Sequence, residues 1–538
     1  MSATARQGLY GSDPGLLFPF AAKLAAKDKL KWVIAITVAL AAILEIIDVS
    51  IVNVALPDMQ GNLGATLSEV GWVSTGYACA NVVIIPLSAW LGERYGRKNY
   101  LMFSLAGFTL ASMMCGLSTS LSMLIVARVL QGLAGGGLLA KAQSILFQTF
   151  SPAEHAAAQA MFGIGVIAGP ALGPVLGGYL TDNYGWRWIF FINLPMGVLA
   201  IFMAWLFLPR DKEDDIVHTS VDWLGIGLLA LGLGCFQTML EEGQQDDWFS
   251  SRFICAMAAG AALGTLFFIW RELTVEHPAV DLRVLKHRAL AAGSLYSLVL
   301  GMGLYGIMFA VPIFVQNYLN FDATQSGLLL MPGALASAVT MIVLGKVAGR
   351  VDSRLLIAIG ALITVATGLL LADINPNTGT DSLFFPLILR GIGSVFMFLP
   401  LSLATLGDLP KDAVAGGSGF YNLTRQMGSS IGIALITTFL AHRVAVHRAV
   451  LVEKVTDYSY ATQSRLSLYQ SFFHHAGSDL PTAHKQAFAL LDRIVEGQAT
   501  LLSFADVFYY VALAFIVTLP LLLLLGKGRN RAAAAAAH

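Results

Sequence analysis

Apolar stretches of about twenty residues recur from Trp32 almost to the end of the chain, each the length a helix needs to cross the hydrocarbon of a bilayer. In that solvent the backbone must satisfy its own N–H and C=O groups, which leaves the α-helix as the workable form for such runs. Only 12% of the 538 residues are charged, against about 25% in soluble domains. A water-soluble fold could not cover the 56% that are hydrophobic. The formal net charge is zero, so nothing in the overall balance favours nucleic acid.

The pattern predicts an all-α polytopic membrane protein with about fourteen helices, over 32–56, 70–91, 100–119, 121–142, 157–180, 187–208, 221–240, 252–271, 289–317, 325–347, 354–372, 384–407, 414–441 and 504–526. This divides the chain into a tail (1–31), a six-helix bundle (32–208), two inserted helices with their linkers (209–288), a second six-helix bundle (289–526) and a tail (527–538). The alanines 532–537 with His538 read as an artificial extension. Lys and Arg gather on alternate connections, at Lys27 to Lys31, Arg94 to Lys98, Arg271 to Arg288, Lys346 to Arg354 and Lys527 to Arg531. Those sides should face the cytoplasm, and an even helix count puts both termini there. Glu241 and Glu242 fall on the opposite connections. Residues 443–502 form one long outer loop, in which Ala487, Phe488, Leu491, Ile494 and Val495 follow an amphipathic helical spacing suited to a cap or a docking surface.

Ionisable groups at membrane depth cost roughly 2.5–3.5 kcal/mol each on insertion scales, so they mark function. Glu45, Asp48, Arg128, Arg390 and Arg425 qualify. Glu45 and Asp48 are three residues apart, share a helix face and would repel each other if both were ionised. Counted from the outer helix ends, Asp48 and Arg128 both lie about 10–12 Å deep and can pair. Lys141 lies near a helix end and can snorkel. Asp222 and Asp506 fall at helix starts and should cap them.

Glycines 165, 169, 173 and 177 repeat every fourth residue beside Pro170, a smooth stripe for a closely approaching helix. Aromatic, Met and Gln side chains, among them Tyr77, Gln131, Tyr305, Met308, Phe309, Gln316, Phe396 and Phe398, are candidates for lining an adaptable pocket. The four cysteines, Cys79, Cys115, Cys235 and Cys255, lie in apolar runs without the pairing of a metal site. No metal, phosphate or nucleophile motif appears, so neither an enzyme nor an ATP-driven pump is expected.

Several ordered motifs resemble those of a known family. The turn 92–98 (G-E-R-Y-G-R-K) is similar to the signature loop of the major facilitator superfamily, with Glu93, Arg94, Gly96 and Arg97 at the matching positions, Ala89 in place of a leading Gly and Glu93 in place of Asp. Arg128, Gln131 and Gly132 resemble its second motif, and Gly165, Gly169, Pro170, Gly173, Gly177 and Gly178 the antiporter motif of drug exporters. The stretches 48–57 and 185–197 look like the fourteen-helix drug:proton antiporters of the EmrB/QacA type. Arg390-Gly391 is a candidate echo of Arg128 in the second half, as expected of two related bundles. The resemblance implies two six-helix bundles plus two inserted helices, a latch between halves at 93–97, a glycine seam between rocking halves, and proton coupling at Asp48, Glu45 and Arg128. It further implies export of hydrophobic or amphiphilic compounds across a bacterial inner membrane on the proton gradient, without a cofactor. A periplasmic adaptor and an outer-membrane channel would be partners. Symport is the alternative that the antiporter motif disfavours, and a non-transporting sensor lacks an output domain.

Overall fold

The computed structural model describes residues 19–26, 29–211, 220–456 and 458–525, and these contain no strand. Most of the tails expected at 1–31 and 527–538 lies outside the described residues. A short helix, α1 (Pro19–Ala26), precedes the first bundle, which comprises α2 (Leu30–Leu63), α3 (Leu67–Tyr95), α4 (Arg97–Gly116), α5 (Leu121–Gly135), α6 (Leu138–Thr149), α7 (His155–Tyr184), α8 (Trp188–Phe191) and α9 (Asn193–Phe207). The inserted pair is α10 (Trp223–Glu242) and α11 (Arg252–Thr274). The second bundle holds α12 (Arg288–Asn317), α13 (Ala323–Val347), α14 (Ser353–Ala372), α15 (Thr380–Leu406), α16 (Val414–Val452), α17 (Tyr460–His475) and α18 (Leu480–Thr518). Thirteen helical stretches are long and apolar enough to cross a membrane, with α5–α6 and α8–α9 each forming one of them. α4 is the remaining expected span, and Asn99, Tyr100 and its serines and glycines make it less apolar.

The two bundles repeat one packing scheme. In the first, α2 packs on α7, α3 on α5, and α4 on both α5 and α9; in the second, α12 packs on α16, α13 on α15, and α14 on both α15 and α18. Each second helix even starts in the same way, with a reciprocal capping box at Thr66/Glu69 for α3 and at Asp322/Gln325 for α13. The halves meet symmetrically too: α7 lies on α13, and α3 lies on α16. At the face carrying the 92–98 turn they close together, where Asn422 Nδ2 donates to Gln143 Oε1 at 2.7 Å and Phe147 packs among Leu290, Leu406 and Leu409.

The inserted pair is pinned at the same face by Asp222, which caps α10 through Gly225 N and pairs with Arg271 of α11 at 3.1 Å. Burial opposes the Asp222 charge, but the hydrogen bonds from Arg271 and Gly225 outweigh it and hold the carboxyl below its usual range. α10 leans on both α3 and α16, and Gln237 Nε2 reaches Ser430 Oγ at 2.8 Å. Glu241 and Glu242, expected on a connection, are instead the last residues of α10, and Glu242 is buried against Thr75 Oγ1 at 2.8 Å.

The expected loop 443–502 is not a loop. α16 and α18 each run 39 residues, about 58 Å at 1.5 Å per residue, so both rise well past a hydrocarbon core of roughly 30 Å. α17 packs on the rising start of α18, where Leu466 meets Ala487 and Leu491, and the three helices form a cap opposite the turn face. Ala483, Ala487, Leu491 and Val495 are buried within it, whereas Phe488 stays exposed. Asp506 is correspondingly mid-helix rather than a cap residue, and it accepts from Arg443 Nε at 2.6 Å and His447 Nε2 at 2.7 Å.

Candidate functional site

Five helices of the first bundle converge on one carboxylate. Asp48 of α2, fully buried, accepts from Arg128 Nη1 of α5 at 2.6 Å, Gln131 Nε2 at 2.8 Å and Asn193 Nδ2 of α9 at 2.7 Å. Arg128 also donates through Nε to the Val73 carbonyl of α3 at 3.1 Å and through Nη1 to Gln131 Oε1 at 2.8 Å. Asn193 passes a second hydrogen bond to Ser112 Oγ of α4 at 3.0 Å. The Tyr77 ring lies 4.2 Å from the guanidinium carbon, supplying its negative face to the cation. A dry ion pair repays its desolvation only when the remaining donors and lone pairs are satisfied, and this network provides that. The expected Asp48–Arg128 pairing is thus the geometry found. Asn193 was within the 185–197 motif but not singled out; an amide at the head of an apolar run was its signal.

One turn away, Glu45 accepts from Asn81 Nδ2 at 2.9 Å and from the Leu139 backbone N–H at 2.8 Å. The second bond exists because the fourth span, expected as one helix over 121–142, breaks at Gly136-Gly137 and restarts as α6, so that Glu45 faces a fresh helix N-terminus. A side chain at Gly136 would come within 2.7 Å of the Asn81 carbonyl, and one at Gly137 would strike Tyr100 and Ser88. Glu45 and Asp48 therefore share a helix but answer to separate donors.

At the turn, Gly96 has φ +85° and a Cβ there would lie 2.8 Å from Asp211 Oδ2, just past α9. Asp211 accepts from Lys98 N at 3.1 Å, and Lys98 Nζ donates to the carbonyls of Trp205 and Leu208, both at 2.6 Å. Arg94 stacks 5.6 Å from the Trp90 ring, and Glu93 and Arg94 line a groove with Glu276, His277, Asp281 and Arg283 of the α11–α12 linker. The turn thus engages the end of its own bundle and the linker that leads into the second. Lys141 does not snorkel: it is buried, its ammonium pressed onto Gly92 and 5.7 Å from the Tyr100 ring, in the electrostatic field of Glu93 and Arg97.

The glycine stripe receives a closely approaching helix, as its spacing predicts, and that helix is α2 of the same bundle. Gly165, Gly169, Gly173 and Gly177 receive Ile43, Ile46, Ser50 and Ile51 of α2, within the first bundle. The seam between halves uses another face of α7, where Gly163 meets Met341 and Phe398, Ala160 meets Gly345, and Val175 meets Gly327.

Between the halves lies a partly open cavity of about 50 Å³, walled by Val166, Ile167 and Pro170 of α7, Leu300, Leu304, Tyr305 and Met308 of α12, Ser337 of α13, Arg390 and Phe398 of α15, and Arg425 of α16. Of the pocket candidates, Tyr305, Met308 and Phe398 line it. Tyr77 and Gln131 belong to the Asp48 network, Gln316 is exposed near the end of α12, Phe309 is half-buried away from the cavity lining, and Phe396 packs against Gly360.

A profile of the Major Facilitator Superfamily matches residues 38–433, from α2 of the first bundle into α16 of the second. The chain belongs to this superfamily. Its major facilitator relatives include the multidrug export protein EmrB of Escherichia coli, 33% identical over 91% of this chain and 94% of that one. The fatty acid resistance protein FarB of Neisseria gonorrhoeae is 30% identical over 91% and 95%, and the colistin resistance protein EmrB of Acinetobacter baumannii 28% over 91% and 95%. A crystal structure of the human organic anion transporter MFSD10 shares the fold, with a TM-score of 0.57 over 90% of this chain and 99% of that one at 13% identity. The protein is a multi-pass membrane transporter of the EmrB-like branch, built from two related six-helix bundles and two inserted helices.

Proposed function

We propose that this transporter is a proton-coupled antiporter that exports hydrophobic or amphiphilic compounds from a bacterial inner membrane by alternating access, with both termini cytoplasmic, no cofactor, and the proton gradient as its energy source. The supporting observation is a pair of separate buried polar centres joined by one helix. Asp48 and Glu45 sit on α2; the cavity lies between the halves; α7 presses its glycine face on α2 while Val166, Ile167 and Pro170 form a cavity wall. Protonation of Asp48 removes the charge that gathers Arg128, Gln131 and Asn193, and so alters the packing of α2 against its neighbours and biases one of two global states. The relatives' names cover multidrug export, fatty acid resistance and colistin resistance, and a largely apolar cavity suits such breadth. In proteoliposomes with an imposed pH gradient, a fluorescent amphiphile should move against its own gradient, and a protonophore should stop it. Movement indifferent to the pH gradient would refute the coupling.

The cap of α16, α17 and α18 is the surface we assign to a periplasmic adaptor leading to an outer-membrane channel. Leu468 and Phe472 on α17 are each 64% exposed, apolar anchors of the kind that seat helix-in-groove contacts. Leu468→Ser with Phe472→Ser should abolish co-purification with an adaptor and leave transport in adaptor-free proteoliposomes unchanged. Loss of transport in that assay would make the cap a lid instead.

A further inference from the structure

The second bundle carries two buried cations without matching acids. Arg390 is 7% exposed, and among the described residues its Nε has no partner and its guanidinium no ion pair. Arg425 is 6% exposed and donates through Nη2 to Asn422 Oδ1 at 3.0 Å, with its guanidinium 5.6 Å from the Phe398 ring. Both line the central cavity, whose walls contain no carboxylate. Glu45, across the seam, lies in the electrostatic field of Arg425, but its two oxygens are already taken by Asn81 and Leu139.

The internal repeat sharpens this asymmetry. Arg128 and Arg390 occupy corresponding helices, each followed within four residues by glycine, but Arg128 is neutralised by Asp48 from the first helix of its bundle. The corresponding α12 contains no acidic residue, and the helices α12 to α16 together contain one, Asp381, in the first turn of α15. Burying a guanidinium without counter-charge is costly. The guanidinium of Arg390 presents to the cavity a planar set of donors suited to a carboxylate or a similar oxyanion.

We propose that the cavity selects amphiphiles bearing a single anionic head group, which docks on Arg390 and Arg425 while its apolar body lies along Val166, Ile167, Leu300 and Leu304. This deepens the export reading by naming the substrate class at the same cavity. A cationic amphiphile would meet two like charges there, and a neutral one would leave the Arg390 donors unsatisfied.

The test is equilibrium binding, without a gradient, to the full chain in phosphatidylcholine nanodiscs, with empty nanodiscs as the blank. Isothermal titration at neutral pH compares 1-naphthaleneacetate, its uncharged amide, and the naphthylmethyl trimethylammonium cation. The acid should bind roughly tenfold or more tightly than the amide, a difference of about 1.4 kcal/mol, and the cation most weakly. Arg390→Gln should collapse the acid-to-amide ratio toward unity and Arg390→Lys should keep part of it; thermal unfolding of each variant reports whether it is folded. Equal binding of acid and amide by the unaltered protein overturns the proposal whatever the variants do, and so does an undiminished ratio in folded Arg390→Gln and Arg425→Gln. Because no gradient is applied, a failure of proton coupling leaves this result standing, and export of cations or neutral compounds without an acid preference refutes this inference alone.

Discussion

Asp48→Asn should reduce gradient-driven export to background, and it should also cost stability. The substitution keeps the volume but leaves Arg128, 1% exposed, without its counter-charge, and removing one partner of a buried pair costs about 3–5 kcal/mol. A single variant therefore confounds coupling with folding. The double variant Asp48→Asn with Arg128→Gln removes both charges, and should recover a good part of the lost thermal stability while remaining unable to couple transport to the pH gradient. Proteoliposome transport together with the unfolding midpoint separates the two effects. Gradient-driven export by a folded double variant would eliminate Asp48 as the coupling group, and Glu45 would become the remaining candidate on α2.

The ionic centre was legible in the sequence because a charge in an apolar run stands out whatever the fold. Glu45, Asp48, Arg128, Arg390 and Arg425 are all buried, as that reasoning requires. The cavity was far less legible, and the reason is physical. In a bilayer both the lipid-facing and the buried sides of a helix are apolar, so periodicity does not say which side of α12 or α15 lines a cavity. Tyr305 and Met308 line it, whereas Phe309, the next residue, does not. Helix breaks were hidden for a similar reason: glycine is common inside membrane helices, so Gly135 to Gly137 looked like ordinary span residues rather than the end of α5. Where the chain leaves the membrane, amphipathic spacing regained its meaning, and the 487–495 pattern did mark a packed face, although on a helix continuous with the last span.

The glycine stripe yields the second large effect, and two leucine substitutions facing different neighbours of α7 should part company. At Gly173 a Cβ would strike Ser50 Oγ and come within 3.0 Å of the Ile51 backbone nitrogen, which cannot rotate away. Gly173→Leu must therefore push α2 off α7 and disturb the helix that carries Asp48; overpacking of this kind costs about 1–3 kcal/mol or more. At Gly163 the nearest obstacle is the flexible end of Met341 at 2.5 Å, on the seam between the halves. Gly163→Leu should leave each bundle folded and impede their closure. The expected result is a severe loss of monodisperse Gly173→Leu protein and of its unfolding midpoint, against near-normal yield but reduced turnover for Gly163→Leu. If Gly173→Leu were instead produced and folded normally while losing turnover, the stripe would be a moving surface after all, and the static α2–α7 pairing would be the wrong account of why this helix repeats glycine every fourth residue.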